Sequence, residues 1–332
     1  MWQVAGGEFL LATRHLLPAT TMTELTQKPS KKRFKSLRQN PVTMKELRSR
    51  MRGRRAFVVL TVYLLAMSIF VILIYAGFAA STGGPYGPNA RDAGKAVFMG
   101  VLSVEVFLVI FVGPSFTVGA VSGEKERQTF DLLRTTLLTG KNLVTGKLIS
   151  ALSYVFLLLI ASIPLQSVAF LLGGISGLEL VLSQVIVFVA AVTFAMWGLY
   201  CSSIMRSTQA ASVMTFAGAL FLIAGIPFLA MVAGIFTGPI LAGMSMSWVG
   251  EVILLYGGLL LAAINLPATL IVSDLILVEE DALFFFDQSF GGASGGAFWF
   301  PSPWWLFIIL YILLALLLYW LSVRKVRKIA NQ

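Results

Sequence analysis

The sequence predicts an all-α integral membrane protein: six transmembrane helices, an N-terminal amphipathic interfacial helix, and a re-entrant or outer-surface hairpin before the last span. Three observations predict it. Hydrophobic residues make up 58% of the 332 residues and charged ones 12%, whereas a soluble domain carries about 25% charged residues. Apolar runs of about 20–26 residues recur, and at about 1.5 Å of rise per residue each can cross a hydrocarbon core of about 30 Å. Of 25 Lys and Arg, 12 lie between Lys28 and Arg55, directly before the first run, and Arg324, Lys325, Arg327 and Lys328 directly follow the last. Lys and Arg gather in this way on the cytoplasmic side of membrane spans.

Composition also excludes. A net charge of +10 on a soluble protein would point to nucleic acid. Clustered at span ends, it points to anionic head groups, so membrane lipid is the expected partner and nucleic acid is not. The single cysteine, Cys201, and single histidine, His15, provide neither a disulfide nor a Cys/His metal site.

Taken in order, residues 1–39 read as a basic, flexible cytoplasmic tail, and 40–332 as a transmembrane domain. The tail lacks the basic n-region and unbroken apolar stretch of a secretory signal. Asn40-Pro41 reads as a helix start, with Asn as cap and Pro in the first turn. Met44, Leu47 and Met51 share one face of the helix that follows, and Lys45, Arg48 and Arg52 another, as expected of a helix lying in the inner interface. Spans are expected near 56–80, 96–121, 148–172, 180–204, 211–236 and 304–323.

A further apolar run, 251–278, holds Glu251, Gly257-Gly258, Asn265, Pro267 and Asp274. If it crossed, the two basic ends would lie on opposite sides. It is therefore read as re-entrant, with irregular backbone sheltered by protein or a water-filled cavity. Both termini are then cytoplasmic, and Trp299, Trp304 and Trp305 belong to the outer interface.

The segment 122–147 faces the cytoplasm. Its cluster Glu124, Lys125, Glu126 and Arg127 reads as solvated. Thr129 can cap a short helix that places Phe130, Leu133 and Leu137 on one face. That pattern suits docking of a soluble partner and equally suits an ordinary surface loop.

The same segment resembles the signature of the type-2 ABC transporter permease family. In that pattern a Glu-rich turn, a Thr and a Leu-Leu pair lead to Gly-Lys-Leu at the next span. Here the elements are Glu124, Glu126, Thr129, Leu132-Leu133, Thr135-Thr136 and Gly146-Lys147-Leu148. Pro114 matches a proline late in the second span, and the stretch from Asn40-Pro41 to Arg55 is similar to the basic lead-in helix of one bacterial branch. Gln128 departs from the pattern, standing where Gly is usual, as does Leu138 where Pro is common. The resemblance implies that two such permeases pair, as a homodimer or heterodimer, in the cytoplasmic membrane of a bacterium or archaeon. ABC ATP-binding subunits would dock beneath them, against Glu124, Glu126, Arg127, Thr129, Phe130, Leu133 and Leu137, and drive substrate outward. The chain itself would be non-catalytic and without cofactor, ATP being bound by its partner.

Gly140 to Leu148 imitates a phosphate-binding loop, but five residues separate its glycines and Leu follows the Lys. The motif needs four residues there, and a Ser or Thr after the Lys. Glu105, inside the second span, either lines the transport route or couples to protons, or is a structural hydrogen-bonding partner inside the bundle. Pro164, Gln166 and Pro227 mark candidate kinks. A secondary transporter or channel is the alternative function; that class favours internal repeats and paired intramembrane charges, which this sequence does not display.

Overall fold

The computed structural model describes residues 54–81, 90–128, 140–242, 248–280, 282–289 and 297–330. The chain is an all-α membrane protein with six helices long and apolar enough to cross a bilayer. α1 is Arg54–Ser81, α2 Ala90–Val118, α3 the short Ser122–Glu126, α4 Gly140–Leu171 and α5 Gly177–Ile204. α6, Thr208–Leu220, runs through a π-helical turn, Phe221–Gly225, into α7, Ile226–Ala242, and the three together form the fifth long helix. α8, Trp248–Ile264, and α9, Leu266–Glu279, precede a two-stranded antiparallel hairpin, β1 Phe285–Ser289 and β2 Ala297–Pro301. α10, Pro303–Ala330, is last.

α2 and α5 form the centre, and α4 packs on both. About half of the apolar window of each central helix is buried, 56% and 50%, whereas α1 and the fifth long helix bury only 6%. Small residues allow the close approach at the centre. A Cβ on Gly198 of α5 would lie 2.4 Å from Thr117 Oγ1 and 3.1 Å from the Pro114 carbonyl of α2. Gly174 likewise sits on the backbone of Gly94 and Lys95.

Three of the helix starts are capped as their sequences allow. Ser176 and Glu179 make a reciprocal capping box for α5, Ser207 caps α6, and Asn265 caps α9 just before Pro267.

The third long helix begins at Gly140, eight residues before the expected boundary, so 140–147 is helix rather than loop. The fifth continues through Ala242. Residues 140–147 are largely polar and 237–239 are Thr-Gly-Pro, compositions read as loop although the backbone prolongs each helix without a break.

α8 and α9 form a helical hairpin over the run read above as a re-entrant pair. Their joint, Asn265, donates through Nδ2 to the carbonyls of Leu222 and Ile223, at 3.1 and 2.9 Å, partway along the fifth helix. Next to it the Ile264 carbonyl accepts from Tyr311 Oη at 2.9 Å. The far ends of both helices return to the β hairpin. Trp248 stacks on Phe298, Tyr256 Oη donates to the Trp299 carbonyl, and Ile276 packs with Phe286 and Phe300. The hairpin is an addition to the predicted fold: aromatic strands flank the Gly291–Gly296 stretch, a recognisable strand signal inside a segment read as a long loop. Trp304 and Trp305 donate their indole N–H groups to Leu283 and Phe284 at this end.

Arg91 and Lys95 stand at the hairpin end of the bundle. The other described Lys and Arg residues open α1 or belong to the opposite end.

Candidate functional site

At the basic end the turn from Val121 to Glu126 is joined to the ends of three long helices. The backbone N–H groups of Val121 and Ser122 both donate to Ser202 Oγ, each at 3.0 Å. Lys125 Nζ donates to the carbonyls of Ser203 and Met205, at 2.6 and 3.1 Å, where α5 runs out of intrahelical partners. Glu126 accepts from Thr208 N at 2.8 Å and Thr208 Oγ1 at 2.6 Å, at the start of α6. Two adjacent residues thus place a cation on a helix C-terminus and an anion on the next N-terminus, matching both helix dipoles. Glu124 pairs with Lys147 Nζ at 2.6 Å, and that lysine is only 5% exposed.

This corrects the reading of the charged cluster as solvated. Glu124 and Lys125 are partly buried and engaged with the bundle, whereas Glu126 and Arg127 are exposed. The partners lie between 23 and 82 residues away, beyond any local pattern. Gln128, which replaces the usual Gly, has φ of 55° directly after the α3 cap, a conformation that Gly adopts at least cost. The departure from the family pattern therefore falls on a backbone position with a physical demand for Gly.

Thr129, Phe130, Leu133 and Leu137 lie outside the described residues, as do Lys45, Arg48 and Arg52. Gly140 to Leu148 is continuous helix.

The second polar group is inside the bundle. Glu105 of α2 has no exposed surface. Its Oε1 is bonded to Ser162 Oγ and accepts from Gln166 Nε2 at 2.8 Å. Its Oε2 accepts from Gln184 Nε2 at 2.9 Å, and the same amide reaches Gln166 Oε1 at 3.0 Å. Sequence reasoning singled out Glu105 and, as a kink marker, Gln166. It missed Ser162 and Gln184, although polar side chains in apolar spans are the available signal. Near the hairpin end, Lys95 pairs with Asp274 at 2.9 Å, tying α2 to α9.

No curated protein matches the chain. The family model for ABC-2 family transporter proteins matches residues 41–276. The match takes in five of the six long helices, the basic-end turn and nearly all of the re-entrant pair. The chain therefore belongs to the ABC-2 transporter family, as a multi-pass membrane subunit of an ABC transport system.

Proposed function

We propose that this chain is the permease of an exporter whose ATP-binding subunit is a separate polypeptide, docking at the basic end around Ser122–Glu126 and the 129–139 segment that follows. One observation carries this reading: a five-residue element at the basic end of the bundle is bonded to α4, α5 and α6 together. Force applied there acts on three long helices at once. Arg127 is exposed beside the turn and available to a partner. In this reading the basic end and both termini are cytoplasmic. The membrane is that of a bacterium or archaeon, and a second permease chain completes the pathway.

The test is co-purification with the ATP-binding subunit encoded beside this chain, recognised by its Walker A and Walker B motifs. Reversing Glu124 would set two cations against each other at Lys147 and damage the fold. The discriminating variant is therefore Arg127→Glu with Phe130→Ala. Interface anchors commonly cost about 2 kcal/mol or more on truncation, enough to weaken assembly more than tenfold. The expected result is loss of the complex, or hydrolysis uncoupled from transport, at normal membrane expression. An intact, fully active complex would refute the docking site. The purified chain alone should hydrolyse no ATP, and sustained hydrolysis by a clean preparation would refute the division of labour.

A further inference from the structure

Glu105 is held by neutral groups only. Around it α4 presents Ser162 and Gln166, and α5 presents Gln184; Glu179, five residues earlier on α5 and about 7.5 Å of helix rise away, caps its own helix with Ser176. α1 brings Tyr63, whose buried hydroxyl lies beside Ser162 and Glu105. α6, which also packs on α2, carries no titratable side chain between Thr208 and Leu220. α9 offers Asp274, which is paired with Lys95. That lysine is ten residues up α2 from Glu105, about 15 Å of helix rise. On α4, Lys147 is 15 residues before Ser162, about 22 Å away along the axis, and is paired with Glu124. Among the described residues no cation reaches the carboxyl. An ionised carboxylate so placed would have neither water nor a counter-charge, an arrangement that proteins avoid by neutralising the group.

The hydrogen count points the same way. Ser162 Oγ contacts two oxygens, one of Glu105 and the Leu159 carbonyl, the latter at 2.6 Å. A serine hydroxyl has one hydrogen. Both contacts are hydrogen bonds only if a second hydrogen lies on the carboxyl, which then donates to Ser162 Oγ while Ser162 donates to Leu159. Gln166 and Gln184 supply the remaining hydrogens. With the proton removed, Ser162 must turn its hydrogen to the carboxylate and release Leu159.

We propose that Glu105 is a proton-binding site within the membrane span, loaded at neutral pH, and that the bound proton completes the joint between α2, α4 and α5. Release transfers the proton to water and leaves the carboxylate on Ser162, Gln166 and Gln184.

The test is infrared spectroscopy of the full chain in phosphatidylcholine vesicles at neutral pH, grown with 13C-carboxyl glutamate. A protonated-carboxyl C=O band that shifts with the label is expected, and should vanish in Glu105→Gln. A labelled protein without that band overturns the proposal, and this arm needs no variant to fold.

Discussion

Gln128 has φ of 55° at the end of α3. A side chain in the left-handed region costs about 1–2 kcal/mol, of which Gly would return part through the greater freedom of its unfolded chain. Gln128→Gly should therefore raise stability by about 0.5–1 kcal/mol, read as a higher unfolding midpoint in detergent. Asn265 makes the opposite case. Ile226 N–H bonds to Phe221, passing over Leu222, and Pro227 has no N–H to offer Ile223. The two carbonyls so released are the ones that Asn265 Nδ2 serves. Asn265→Ala should cost about 1–3 kcal/mol by leaving them unsatisfied. In a Pro227→Ala background the cost should shrink, as the restored N–H supplies one of them. Strictly additive losses in that double-mutant cycle would show the two residues to be independent.

Among elements, the contact between α2 and α5 has least room for change. Gly198 faces backbone atoms of Pro114, which cannot swing aside as a side-chain tip can. Gly198→Ala should force the helices apart and cost about 1–3 kcal/mol, with a lowered unfolding midpoint and reduced transport in the same variant. Gly77, which has open space around its Cβ position, is the control: Gly77→Ala should be neutral or slightly stabilising. Elements were unevenly legible in the sequence. Apolar length revealed six spans, and Asn265 with Pro267 revealed the broken run. The β hairpin and the first two turns of α4 were missed, because the aromatic strands flank a Gly-rich stretch read as a long loop and 140–147 is largely polar although its helix is continuous. The partners of Glu124, Glu126 and Glu105 were hidden because each is supplied by another helix.

At the scale of the molecule, α8 and α9 fold back so that their far ends meet at one hairpin, and the proposed topology of six crossings rests on that return. Cys201 is buried, so in a Cys201→Ser background new cysteines report topology cleanly. Positions 90, 177 and 288 should react with an impermeant thiol reagent from one side, and 127 and 206 only from the other. Residue 288 reacting together with 127 would remove the re-entrant pair. The basic-end joint carries a consequence for how the chain is made. Thr208 follows Glu126 by 82 residues. At about 5–20 residues per second of translation, Glu126 waits roughly 4–16 s for its partner. During that interval α4 and α5 must leave the ribosome and enter the bilayer while the turn that will bind them stands open. A chain arrested before residue 208 therefore shows the cell a turn whose Glu126 is without its bonds to Thr208, a local mark by which unfinished copies differ from completed ones.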